Sequence, residues 1–341
     1  MEYSFAYRRY HLPFRSPLRT AHGLWSVREG ILLRLEARDG AVSYGEAAPI
    51  PWFGTETVDE VEEACRKLGE VVDDTLLDTV PGKLGCLRSA FASARTELAE
   101  PRDMTSRQVA SLLPAGKAAL DLIESQAEVG FRVFKWKVGA ANAMDELGLL
   151  DDICAKLPDG ARLRLDANGA WDRRTAERWL ERCAERPVEY VEQPCFADAS
   201  QGTALQNKTE DLLMGLANDY PTPLALDESL IRLGDITRWI DAGWSGFYVL
   251  KPSLLENAQA AQVKLAKAHA KVVFSSALET AIGAKAALQL AFSWTGHAYA
   301  LGFGVWPLFH DPRINGPGTA PFMRWHDVER LNEEATWNAL P

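Results

Sequence analysis

Between residues 108 and 305 the chain repeats one arrangement, a short apolar run followed by an amphipathic stretch. The runs are VASLLP, FRVFKWKVG, ARLRLDAN, VEYVEQP, TPLALDES, GFYVLKPS, KVVFSSALE and AYALGFG. In the intervening TAERWLERCAER and ENAQAAQVKLAKAHA, apolar positions recur at three- and four-residue spacing, the period of a helix with one buried face. Strand candidates alternating with helices in this way predict an α/β fold in which parallel strands close into a (β/α)8 barrel.

The first hundred residues follow a different rhythm. EGILLRLEARDGAVSYGEAA alternates apolar and polar positions on both sides of Asp39-Gly40, a hairpin signal. VDEVEEACRKLGEVV and GCLRSAFASARTELAE read as helices, and RSPLRTAHGLWSVRE as a turn-rich insertion ahead of the hairpin. The expected organisation is an α+β module over 1–105, the barrel over 106–305, and a segment over 306–341. That last segment contains Pro307, Pro312, Pro317 and Pro321 and is expected to run back along the surface.

Composition narrows the function. The chain has 341 residues, 47% of them hydrophobic and 25% charged, the make-up of a globular protein. Its formal net charge of −10 argues against a nucleic-acid backbone or an anionic membrane surface as partner, since both reward clustered Lys and Arg. No run has the apolar length of a membrane span, and MEYSFAYRRYHLPF lacks a signal-peptide core, so a cytoplasmic location is expected. Cys65, Cys86, Cys154, Cys183 and Cys195 are scattered without CxxC spacing, which suggests free thiols rather than a disulfide framework or a zinc site. A homo-oligomer is compatible with the sequence and not required by it.

The chemistry gathers at the ends of the apolar runs, where a barrel carries its catalytic groups. The second run ends in Lys135 and Lys137, the third in Asp166, the fourth in Glu192, the fifth in Asp227 and the sixth in Lys251. Side chains alternate along a strand, so Phe134 and Trp136 point one way and both lysines the other. A solvated strand face would explain the lysines alone, and a helix cap would explain Asp227-Glu228-Ser229 alone. Three carboxylates at about 4 Å repel by roughly 4 kcal/mol per pair at an effective dielectric of 20, so a cation is required between them. An all-oxygen set without His or Cys favours Mg²⁺, with Mn²⁺ as substitute, over zinc. A lysine, ordinarily of pKa about 10.4, can act as a base only where its charged form is disfavoured; a second ammonium and a bound cation both do so. A metal that holds a carboxylate beside a lysine base describes proton abstraction next to a small-molecule carboxylate.

The set KxK (Lys135, Lys137), DxN (Asp166, Asn168), Glu192 in VEQP, Asp227 in DES and Lys251 in KP resembles the enolase superfamily, in its muconate-lactonizing-like subgroup. The resemblance spans nearly the whole chain. It implies a modified barrel of (β/α)7β type, with residues 1–105 as a capping domain bearing a substrate-specificity loop and 306–341 packing back on the cap. Two further stretches, PLRTAHGLWSVREGILL and FSSALETAIG, look like the o-succinylbenzoate synthase family within it. That likeness implies a metal-dependent dehydration of 2-succinyl-6-hydroxy-2,4-cyclohexadiene-1-carboxylate to 2-succinylbenzoate, a step toward menaquinone or phylloquinone. Lys137 would be the base and then the acid, with Lys135 beside it. Asp166, Glu192 and Asp227 would hold the metal, and Lys251 would stay protonated over the substrate ring. Ser275, Ser276 and Asn168 would contact the substrate. His22, Arg28 and Arg19 are candidates to line the site or pair with a carboxylate, with plain surface roles as the alternative; Glu279 is a candidate partner for a catalytic lysine. Gly169 stands where some relatives carry a larger side chain. Racemisation of N-succinylamino acids or epimerisation of dipeptides would use the same template, with Lys137 and Lys251 on opposite faces. A barrel that binds a carboxylate without chemistry is the remaining alternative.

Overall fold

The computed structural model describes residues 1–20, 23–96, 105–197 and 201–340. The N-terminal part is a four-stranded antiparallel sheet of order β3-β2-β1-β4, formed by β1 (Glu2–Thr20), β2 (Gly23–Ala37), β3 (Val42–Ala47) and β4 (Val71–Asp73). The hairpin at Asp39-Gly40 joins β2 to β3, with Gly40 N–H donating to Ala37 O at 2.9 Å. The stretch RSPLRTAHGLWSVRE is not an insertion. Its described residues, 15–20 and 23–29, belong to the pairing of β1 with β2, in register from Tyr3↔Ala37 to Pro13↔Val27 and again from Leu18↔Trp25 to Thr20↔Gly23. The proline and glycine of that stretch, Pro17 and Gly23, lie at the register shift between Pro13 and Leu18 and at the start of β2, where a lost N–H or a positive φ costs little.

Three helices complete the cap: α1 (Val58–Leu68), α2 (Asp74–Asp78) and α3 (Gly85–Arg95). Thr57 and Glu60 form a capping box at the start of α1. The helix stops before Gly69, so Val71 and Val72, expected as its continuation, lie in β4 and pair with β1 instead.

Eight parallel strands follow as expected: β5 (Arg107–Leu113), β6 (Val133–Lys137), β7 (Arg162–Asp166), β8 (Val188–Glu192), β9 (Leu224–Leu226), β10 (Phe247–Leu250), β11 (Lys271–Phe274) and β12 (Leu301–Gly304). They are hydrogen-bonded in the order β11-β10-β9-β8-β7-β6-β5-β12. Among the described residues, β11 and β12 meet at one bridge, Ser275↔Gly302, which closes the ring at its C-terminal rim. The connecting helices are α4 (Ala118–Val129), α5 (Ala143–Lys156), α6 (Arg173–Cys183), α7 (Thr203–Asp219), α8 (Leu233–Asp241), α9 (Ala258–Lys267) and α10 (Ala281–Phe292). A short β13 (Phe322–Met323) pairs antiparallel with β5, ahead of α11 (Trp325–Glu329) and α12 (Glu333–Asn338). Arg8 of the cap donates to Trp337 O at 2.7 Å and Leu340 O at 2.6 Å. Among the described residues no helix is long and apolar enough to cross a membrane.

Alternation along the strands sorts the barrel into two cores. Phe134, Trp136, Leu163, Leu165, Val191, Leu226 and Leu250 face outward into one cluster with the helices. Tyr190, Ala225, Phe247, Val249 and Val273 form a separate cluster within the ring. Residues at every second position toward the C-terminal ends are polar, so the inner stack of side chains gives way to charge at the mouth.

Candidate active site

The register of the sheet aligns the charged residues. Lys137 lies opposite Asp166, and Asp166 opposite Glu192. Glu192 pairs with Ala225, two residues before Asp227. Lys135, Lys137, Asp166, Asn168, Asp227 and Lys251 line one pocket between cap and barrel, and Ser275 and Ser276 stand on its wall. Both lysines of FKWKVG therefore point into the ring, and the solvated-face reading does not hold.

Every charge there has a partner. Lys135 Nζ lies 2.6 Å from Glu192 Oε1 and 3.0 Å from Asp166 Oδ2. Lys137 Nζ lies 3.6 Å from Asp166 Oδ2 and donates to Asn168 Oδ1 at 3.0 Å. Lys251 Nζ donates to Asp227 Oδ1 and stands 5.1 Å from the centre of the Phe53 ring. Burial opposes the charge of Lys135, yet Asp166 and Glu192 outweigh it and hold the ammonium well above the usual lysine range. Lys135 is thus committed to two carboxylates rather than being a free positive neighbour of Lys137. Lys251 is likewise raised against burial by Asp227 and Glu192. Burial also works against Asp166, but Lys135 and Lys137 hold it below the carboxylate range. Glu192 is pushed up to about 7 by burial and by Asp166, with Lys135 opposing.

Among the described residues no three His, Cys, Asp or Glu side chains already stand in a metal-binding group. The ammonium groups of Lys135 and Lys251 sit among the carboxylates instead. The donor set still fits a hard divalent cation. Glu192 Oε2 is buried without a hydrogen-bond partner among the described residues, an acceptor left uncompensated in a site of oxygen donors.

Several supporting residues were not singled out from the sequence. Gln193, at φ +36°, accepts from Asp227 N–H (2.9 Å) and Ser229 N–H (3.3 Å) and donates to Ser229 Oγ (2.8 Å), tying the ends of β8 and β9 together. Glu228 accepts from Asn168 Nδ2 at 3.0 Å and is raised to about 7, by burial first and then by Asp166. The helix-cap reading of Asp227-Glu228-Ser229 fails, because α8 begins at Leu233. Glu146 accepts from the backbone of Gly139, Ala140 and Ala141 at 2.7, 3.3 and 3.1 Å, fixing the turn after Lys137. Only spacing from the motif residues could have flagged these groups.

The proposed substrate contacts divide. Asn168 faces the pocket but bridges Lys137 to Glu228. Ser275 Oγ donates to Gly302 O at 3.2 Å, and Ser276 Oγ to Glu279 Oε2 at 3.0 Å. Glu279 therefore serves a serine, not a lysine. Arg28 is not a substrate ligand: it is 1% exposed and donates to five backbone carbonyls, those of Glu29, Ala48, Pro49, Ala277 and Leu278. An arginine read as a partner for a substrate carboxylate or for the surface is instead saturated at the seam between cap and barrel. His22 and the side chain of Arg19 lie outside the described residues. Trp25 lines the pocket, packed edge-on at 4.7 Å against Trp52. Gly169 has φ +74°, and a Cβ there would meet Phe196 Cβ at 2.4 Å, so this turn has no room for the larger side chain of some relatives.

Residues 118–320 match the enolase C-terminal domain-like family. The o-succinylbenzoate synthase of Thermosynechococcus vestitus is 39% identical over 305 residues, 88% of this chain and 91% of that one. A crystal structure of o-succinylbenzoate synthase from Thermosynechococcus elongatus BP-1, complexed with Mg in the active site, superposes with a TM-score of 0.79 at 35% identity, covering 99% of this chain and 100% of that one. The L-Ala-D/L-Glu epimerase of Bacillus subtilis superposes with a TM-score of 0.80 over 94% of this chain and 95% of that one, at 19% identity, a likeness of fold alone.

Proposed function

Since the chain belongs to the o-succinylbenzoate synthases of the enolase superfamily, we propose a division of labour among its own residues for that reaction. The enzyme is a metal-dependent carbon–oxygen lyase that dehydrates 2-succinyl-6-hydroxy-2,4-cyclohexadiene-1-carboxylate to 2-succinylbenzoate, in menaquinone or phylloquinone synthesis. What carries this reading is the extent of likeness to synthases, 39% identity over 88% of the chain, against 19% to an epimerase of the same fold.

Lys137 takes the proton alpha to the ring carboxylate and returns it to the departing hydroxyl, so that water leaves and the ring becomes aromatic. Asn168 Oδ1 orients its ammonium form, and Glu228 orients Asn168. Asp166, Glu192 and Asp227 would hold Mg²⁺, with Mn²⁺ as substitute, and the cation would supply positive charge beside the substrate carboxylate as its alpha proton leaves. Lys135 neutralises that carboxylate cluster. Lys251 stays protonated and faces the substrate ring, a cation–π contact of about 0.5–2 kcal/mol. Ser275 and Ser276 meet the succinyl side. The enzyme works in the cytoplasm on a small carboxylate, without nucleic acid, and a homo-oligomer is compatible with this chemistry.

The test is formation of 2-succinylbenzoate from the cyclohexadiene with Mg²⁺, followed by ultraviolet absorbance and mass spectrometry, with EDTA as control. Rapid metal-dependent turnover is expected. The reaction needs one base, so Lys251→Arg should retain part of the activity; total loss, with exchange of the alpha proton of N-succinylamino acids or dipeptides in D₂O, would instead establish two-base racemisation or epimerisation.

A further inference from the structure

We propose that two cap residues, Arg28 and Glu46, are positioning residues for the loop 275–280 of the barrel, holding Ser275 and Ser276 at the wall of the pocket. The inference rests on the reading of that pocket as the substrate site and assigns part of its upkeep to the other domain.

The loop leaves β11 and enters α10 at Ala281. Within it Leu278, which faces the pocket, adopts φ +62°, a left-handed conformation costly for leucine. Such backbone persists where its surroundings over-determine it. Part of the restraint is local: Leu278 N–H donates to Ser276 Oγ at 2.9 Å. The rest comes from the cap. Arg28 donates to Ala277 O and Leu278 O, both at 3.2 Å, while its other contacts include Pro49 O at 2.8 Å and Glu29 O at 3.0 Å. One buried guanidinium thereby binds both domains.

Glu46 lies on β3 and is 2% exposed. Its carboxylate accepts from Thr280 N–H at 3.0 Å, Thr280 Oγ1 at 2.5 Å and Gly283 N–H at 2.9 Å, and Tyr10 of β1 donates to it at 2.6 Å. Backbone donors in the first turn of a helix lack partners within the helix, and a negative charge is favoured beside them. Here α10 receives that carboxylate from another domain. Gly283 makes the approach close enough, since a Cβ there would lie 2.9 Å from Glu46 Oε2 and 2.8 Å from Glu279 Cβ. The stretches GEAA (45–48) and FSSALETAIG (274–283), distant in sequence, are one latch.

None of these contacts involves the strands that carry Lys135, Lys137, Asp166, Glu192 or Asp227. Glu46→Gln, which turns an acceptor into a donor facing other donors, should therefore accelerate amide hydrogen exchange over 275–284 by about tenfold or more, with β6 to β9 unchanged. With the cyclohexadiene substrate, KM should rise roughly tenfold to a hundredfold, while kcat stays within about threefold and Mg²⁺ affinity is unaltered. Thr280→Val should move KM the same way by less, Thr280→Ser should restore it, and Glu46→Gln with Thr280→Val should cost less than the sum of the two. If Glu46→Gln does not fold, Thr280→Val and Arg28→Lys carry the same measurements. Unchanged exchange over 275–284 in a folded variant, or a lowered Tm with unaltered KM, overturns the proposal. Failure of the unsubstituted enzyme to turn over the cyclohexadiene would sink the functional reading instead, and the exchange measurement would still decide the latch.

Discussion

The barrel mouth and the β1–β2 ribbon both border the same pocket, yet they are built on opposite plans. At the mouth, parallel register sets Lys137, Asp166 and Glu192 side by side, so each charged group is placed by its own strand and its immediate neighbours. The ribbon contributes Leu18, Thr20 and Trp25 from a long two-stranded arm whose position depends on Phe14 stacked on Phe309 and on Trp25 against Trp52. The charged cluster is thus encoded locally, and enclosure of the pocket is encoded in contacts between distant parts of the chain.

If that division is right, the largest effect belongs to the mouth. Lys137→Ala should lower kcat by on the order of 10²–10⁴-fold, the worth of a general base, with Mg²⁺ binding by calorimetry unchanged. Substantial residual turnover would remove the mouth from the chemistry.

Glu279 tests the border between the regions. Burial, with Glu46 adding to it, raises its carboxyl from 4.5 to about 7. The folded protein then holds a proton that the unfolded chain has released, so stability falls as pH rises from about 4.5 to about 7. Glu279→Gln, which still accepts from Ser276, lacks that penalty. Denaturation of both proteins at pH 5 and pH 8 should show the variant gaining on the order of 3 kcal/mol on the parent at the higher pH. Parallel pH profiles would show that the carboxyl is not strained by the seam.

Gly169→Ala asks whether the mouth tolerates change as a loop would. The positive φ and the collision with Phe196 should cost about 2 kcal/mol, read as a lowered Tm. The smallest effect should come from the ribbon: Trp25→Ala is expected to raise KM about tenfold, equivalent to about 1.4 kcal/mol, with kcat nearly constant. A loss of kcat rivalling that of Lys137→Ala would abolish the distinction between the two regions.

The same contrast explains what could be read in advance. The runs from VASLLP to AYALGFG match β5 to β12, because outward-facing Leu, Val, Phe and Trp must pack on helices whatever the site does. Lys135, Lys137, Asp166, Glu192, Asp227 and Lys251 stood out because charge at the end of an apolar run is locally anomalous. Arg28 was misread because nothing beside it in sequence announces Ala277 and Leu278 as its partners, 250 residues away in the case of Leu278. Glu46 escaped notice for the same reason, its donors being Thr280 and Gly283. The ribbon was obscured because Pro13, Pro17 and Gly23 carry turn chemistry, while the ladder partners that override it lie along the opposite strand.

The bridge between Ser275 and Gly302 joins the seventh and eighth strands of the ring at the rim of the pocket. Ser275 Oγ also donates to Gly302 O, so a side chain that lines the pocket is also a fastener of the ring. A bulkier residue at that position, chosen to accommodate a different substrate, would push against the joint itself. Substrate range at this wall and integrity of the barrel therefore cannot be tuned separately. Neutral drift toward a new specificity has a freer route through Leu18 and Trp25 on the arm, which no strand of the ring needs in order to close.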